Sequence, residues 1–124
     1  MGDESSGDFV VQQHRAERAG LHHDFRLAMG GVLKSWAVPK GVPTESGVKR
    51  LAIQVTDHPI GYKDFSGVIS EGYGKGEVEI WDDGKYTLIN QSPEYLFFQL
   101  RGDKLKGNYH MRHWKGSQWL LWKQ

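Results

Sequence analysis

The chain contains no cysteine. Disulfides, thiolate metal sites and cysteine nucleophiles are therefore excluded, and the absence suits a reducing compartment, so a cytoplasmic setting is expected. Long apolar runs are also missing, so no membrane-spanning helix and no membrane partner are expected. The opening "MGDESSGDF" is acidic and polar, unlike a secretory signal. Charge of one sign is not in excess: 16 Lys and Arg face 15 Asp and Glu, a net charge of +1. A nucleic-acid partner would then have to be held by a local patch, not by a global field. With 124 residues the chain has room for one domain, burying about two-thirds of its unfolded surface.

Helical periodicity is also scarce. "FVVQQH" (9–14) reads as a short strand, and "HDFRLAM" and "VLKSWAV" flank Gly30-Gly31 as a hairpin over 23–38. Pro39, Gly41 and Pro43 then break the chain. "RLAIQVTD" (50–57) alternates, which puts Leu51, Ile53 and Val55 on one side, taken as the core side. Residues 58–76 form a long glycine-studded connection of the kind usually kept for function. "EVEIWDDGKYTLIN" (77–90) reads as a hairpin turning at Asp83-Gly84, "YLFFQLRGDKLKGNYHMRHW" (95–114) as another around "RGDK", and "QWLLWK" (118–123) closes the chain. A helical turn fits within 14–21. About eight short strands predict an antiparallel barrel or sandwich. Residues 1–8 are expected to be a flexible tail before a domain spanning 9–124.

What is present in unusual form is "HRAERAGLHHDFRL", His14 to Leu27. On an extended strand His22, Asp24 and Arg26 share one face while His23, Phe25 and Leu27 share the other. Phe25 and Leu27 suit a core, so the opposite face carries imidazole, carboxylate and guanidinium about 6.5–7 Å apart. With His14, this is a mixed N/O set that suits a divalent transition metal and leaves coordination positions open. A solvated polar face would look the same at this level. Arg26 tips the balance, because a guanidinium beside a cation site calls for an anion between them, and arginine holds phosphate bidentately.

His58 follows strand 50–57 on the face opposite Leu51, Ile53 and Val55, pointing away from the core, where it could donate a proton or a hydrogen bond to an anion. Tyr62, Lys40 and the "EGYGKG" loop (71–76) are weaker signals. His23, His110 and His113 read as structural, and the five tryptophans as core-filling.

In order, "FVVQQH", "HHDFRL", "GVLKSWAVPKG", "RLAIQVTDHPIGY", "FSGVISEGYGKGEVEIWD" and "QWLLWK" resemble the 3′-phosphoesterase domain of bacterial ligase D and its stand-alone relatives, over residues 9–124. The resemblance implies a compact β-barrel with a crescent-shaped groove, a divalent metal (Mn²⁺ by preference) and removal of a 3′-phosphate from DNA ends, with trimming of a terminal ribonucleotide in some members. It places the metal ligands on His14, His22 and Asp24, and the phosphate contacts on Arg26 and His58. The active-site tyrosine falls on Tyr62, and the lysine of the "VPKG" block on Lys40. Seven residues separate His14 from His22 where the family pattern has five. The arm that assists trimming in ligase D homologues is represented only by "MGDESSGD", which has no arginine, so phosphate removal is the expected activity. Implied partners are DNA 3′ ends and a separate ligase or polymerase, with the protein a monomer; Lys34, Lys40, Lys63 and Lys75 could supply contacts to the DNA backbone. Two other classes remain open: a non-catalytic DNA-end-binding module, and a jelly-roll iron oxygenase with His110 as a distant ligand.

Overall fold

A computed structural model describes residues 5–124. Strands make up 69% of the described residues and helix 4%. Strand β1 (Ser6–Ala16) pairs antiparallel with β2 (Gly20–Met29), and β2 with β3 (Val32–Val38) across Gly30-Gly31. Both glycines take positive φ (63° and 84°), the conformation that a two-residue hairpin demands. β4 (Lys49–His58) follows, then an excursion with a 3₁₀ helix (Ile60–Asp64) and short β5 (Gly67–Ile69). β6 (Gly76–Ser92), β7 (Tyr95–Gly102), β8 (Lys106–Lys115) and β9 (Gln118–Lys123) complete the chain.

The sheet runs β1-β2-β3-β4-β9-β8-β7-β6, and β6 pairs back onto β1. Eight antiparallel strands therefore close into a barrel, with β5 added beside the start of β6. Closure removes the sheet edges that would otherwise be open to pairing. Alternation sends Phe9, Val11, Phe25, Leu27, Trp36, Phe98, Tyr109 and Leu121 inward, each at most 2% exposed. No helix among the described residues is long and apolar enough to cross a membrane.

Several expectations change. Residues 1–4 of the expected tail lie outside the described residues, but Ser6, Gly7 and Asp8 are already strand, paired with Thr87, Tyr86 and Lys85. No helical turn occupies 14–21. Two further rungs, Arg15 opposite Leu21 and Ala16 opposite Gly20, extend the β1–β2 ladder, and His14 stays opposite His22. Residues 77–90 are not a hairpin but part of one 17-residue strand. Gly84 is not among the positive-φ glycines. It is required for close approach, since a Cβ there would lie 2.2 Å from the Arg101 carbonyl oxygen.

On β4 the alternation is right but its sides are inverted. Ala52 is the fully buried residue, beneath Trp119 across the ladder, while Leu51 and Val55 are exposed and Ile53 is half-buried. Trp119, 6% exposed, fills the interior beside the small Ala52. Of the tryptophans, Trp36 and Trp119 are core and Trp81 packs against it. Trp114 is 58% exposed and Trp122 half-buried, each beneath a lysine, Lys115 and Lys49 respectively.

Candidate metal and phosphate site

The outer face of β1–β4 carries the polar residues, and the 59–75 excursion folds over them. Facing residues of neighbouring strands share a side, so the β1–β2 register sets the constellation: His14 opposite His22, and Gln12 opposite Asp24. The Asp24 carboxylate is 3.0 Å from His14 Nδ1 and 3.1 Å from His22 Nε2. Among the described residues these three are the group able to hold a metal, with ligand atoms within 4.8 Å of one another. Each histidine's other nitrogen meets a backbone carbonyl: His14 Nε2 lies 2.7 Å from Gly74 O, and His22 Nδ1 lies 3.1 Å from Gly20 O. Donating to those carbonyls leaves His14 Nδ1 and His22 Nε2 as the bare, metal-facing atoms, the usual orientation of ligating histidines. The donor set fits a divalent metal.

Arg26 is only 3% exposed, and its guanidinium is held from several sides. Nε donates to Gln12 Oε1 (2.7 Å) and Nη1 to Ser35 Oγ (2.8 Å), while Nη2 lies 3.7 Å from Asp24 Oδ2. The Tyr62 ring lies 4.9 Å from Cζ. Gln12 also donates to the Tyr62 and Phe65 carbonyls, tying the excursion to β1. Gln12 and Ser35, the two side chains that hold Arg26, are missed by motif reading. Strand parity could have found Gln12, two residues before His14, but Ser35 needed the β2–β3 register that sets it opposite Arg26.

His58 reaches the site by an unforeseen route. A bulge between Leu33 and Ser35 shifts the β3–β4 register by one, so Ser35 faces Val55 and Leu33 faces His58. His58 therefore lines the groove on the same side as Ile53 and Val55. Its Nδ1 is 3.1 Å from Arg26 Nη1 and 2.9 Å from Thr56 O. Arginine cannot accept, so the first contact is a hydrogen bond only when Nδ1 is bare, and the second only when it is protonated. The two contacts belong to two states of Nδ1, bare and protonated.

Burial opposes charge on Asp24, but the hydrogen bonds and charges of His22, Arg26 and His14 outweigh it and hold the carboxyl below its usual range. Reciprocally, the hydrogen bond to Asp24 raises His22. Burial and then the Arg26 charge lower His58, while burial raises Tyr62.

The groove encloses roughly 510 Å³ and is lined by His14, His22, Asp24, Arg26, His58 and Tyr62 on its polar side. Lys40 is not part of that lining. It lies exposed in the next depression beside His22 and Arg50, and Arg50 donates to its carbonyl. Lys34, Lys63 and Lys75 pair with Asp57, Asp64 and Glu17. His23 accepts from the Val42 amide (3.0 Å) and lies against Trp81, a structural role as expected. His113 is likewise structural, against Trp119 with Nε2 on Gly116 O. His110 is on β8, stacked between Phe97 and Trp122 with its nitrogens on Tyr95 and Gln124, so it cannot serve the oxygenase arrangement.

The model of the DNA ligase D 3′-phosphoesterase domain matches residues 12–113. The chain belongs to this family. It is 48% identical to the multifunctional non-homologous end joining protein LigD of Pseudomonas aeruginosa over 91% of its length. It is 43% identical to the LigD proteins of Mycobacterium tuberculosis and Mycolicibacterium smegmatis over 90% of its length. It spans only 14–16% of the length of these relatives.

Proposed function

We propose that this domain is a divalent-metal-dependent phosphoesterase that removes a 3′-phosphate from a DNA end and leaves a 3′-OH for ligation or extension in end joining. The observation that carries this reading is the junction of two sites: a metal-ligand triad and a buried guanidinium share one groove wall, with Arg26 Nη2 3.7 Å from Asp24. A cation and an arginine side by side suit an anion held between them.

A divalent metal, Mn²⁺ by the family resemblance, held by His14 Nδ1, His22 Nε2 and Asp24, supplies Lewis acidity toward a phosphate oxygen. Arg26, fixed by Gln12 and Ser35, presents its Nη2 protons to the equatorial oxygens and stabilises charge as it develops. His58 Nε2–H donates to the phosphate or to the leaving 3′-oxygen. Ser35 donates its hydroxyl proton to Leu33 O, and Tyr62 is held protonated by burial, so neither is a ready nucleophile. Water attacks phosphorus, the P–O3′ bond breaks, and the 3′-oxygen takes up a proton. Tyr62 supplies the ring on which Arg26 rests, and Lys40 with Arg50 offers charge to the DNA backbone beyond the groove. One chain builds the whole groove, so the domain acts as a monomer, serving a ligase or polymerase through its product.

The test is a primer-template bearing a 3′-phosphate, incubated with and without Mn²⁺ and resolved for its product ends. Conversion to 3′-OH only with metal is expected. Tight binding without conversion, unaffected by chelator, would favour the non-catalytic end-binding module.

A further inference from the structure

The "EGYGKG" loop is left unused by the reaction as described. Residues Gly72–Lys75 form a tight turn, closed by the Lys75 amide on Gly72 O (3.1 Å), with Gly72 at φ 89°. The turn is pinned twice to β1: the Glu17 amide donates to Lys75 O (2.8 Å), and Gly74 O receives His14 Nε2 (2.7 Å). At its apex Tyr73 is 69% exposed, and among the described residues its ring and hydroxyl have no partner. An aromatic held in place yet left bare has its faces available.

Tyr73 borders the same groove as the triad, and the lining around it is apolar: Ala37, Ile53, Val55 and Ile69. The groove thus has a charged side for a phosphate and an apolar side for the group that carries it. Tyr62, the other aromatic there, is already committed to Arg26, His58 and Phe65, at 4.9, 4.9 and 5.0 Å. We infer that Tyr73 is the stacking platform for the terminal nucleobase, positioning the 3′-phosphate between the metal ligands and Arg26. This rests on the proposed reaction and names its substrate class: a phosphate at the end of a strand that still carries its terminal base. Every base has a π-face, so the stack tolerates any sequence.

The test compares two 3′-phosphorylated strands that differ only in the terminal residue, a normal nucleotide or an abasic tetrahydrofuran. Wild-type protein should prefer the base-bearing end by about tenfold or more in kcat/KM, mostly through KM. Tyr73→Ala should bring that ratio to near one, while Tyr73→Phe should keep it. A merely structural loss would lower both ends alike and leave the ratio standing. Equal rates on the two ends in wild type, or a preserved ratio in Tyr73→Ala, would overturn the inference with the phosphatase reading intact. Failure to convert either end would overturn the reaction, and the stack is then read from 2-aminopurine at the terminal position. Its fluorescence should be quenched on binding to wild type but not to Tyr73→Ala, and no quenching in wild type would refute the stack.

Discussion

His14 and His22 face each other across the β1–β2 ladder, ring centroids 4.8 Å apart, and each places a ring nitrogen within 3.1 Å of the Asp24 carboxylate. The hairpin register alone brings them together. His23, one residue on, has the same chemistry and points to the opposite side, against Trp81.

That difference sets the first expectation. His22→Ala should lower metal-dependent turnover by at least about 10²-fold, corresponding to roughly 3 kcal/mol of barrier. His23→Ala should keep the rate within about threefold but lose stability, because it removes the acceptor for the Val42 amide. Phosphate release and thermal melts on both variants check this, and a folded but inactive His23→Ala beside an active His22→Ala would place the site on the wrong face.

Arg26→Lys keeps the charge but cannot satisfy both Gln12 and Ser35 while still offering a fixed donor to phosphate. A fall of about 10²-fold in kcat is expected, of the size seen when one preorganised donor is removed. Steady-state rates on a 3′-phosphorylated strand measure it, and near wild-type turnover would remove the case for Arg26 as a preorganised phosphate donor.

A pH dependence follows from His58. Burial and the Arg26 charge lower its pKa below 6.5, so the ring is neutral in the free protein at pH 7. An oxyanion beside it favours the cationic form and raises that pKa. Between the two values the complex holds more protons than the free protein, so anion affinity falls as pH rises through that window. Sulfate does not titrate there, and its inhibition constant at saturating Mn²⁺ should weaken from pH 5.5 to 8 in wild type and stay flat in His58→Asn. A slope unchanged in the variant would assign the proton elsewhere.

The "HHDFRL" strand was legible because one side had to be core, and Phe25 and Leu27 decided which. β4 was not, because its outer face lines a covered groove and is as apolar as an inner one, so alternation identified two sides without naming them. His58 then reached the groove through a bulge, which adds a residue without any sequence mark. The "WDDG" stretch misled for a related reason: Asp-Gly signals a turn only where glycine needs positive φ, and Gly84 is there for space.

Asp82, from that misread stretch, is 4% exposed, and its carboxylate accepts the amides of Asp103, Lys104 and Leu105 at 2.8–3.1 Å. It holds the β7–β8 turn. Asp82→Ala leaves three donors without that partner and should cost about 3 kcal/mol, or roughly 10 °C in Tm. Calorimetry checks this, and an unchanged Tm would mean that the turn stands without it.

In the proposed reaction one metal, held by His14, His22 and Asp24, is required to release phosphate from a DNA 3′ end. Titrating Mn²⁺ into metal-free protein, with bound metal and released phosphate followed on the same sample, tests it most directly. Turnover should track occupancy of a single site and saturate at one Mn²⁺ per chain, with both signals lost in a folded Asp24→Ala. Full turnover in excess chelator, or an active folded Asp24→Ala, would contradict it.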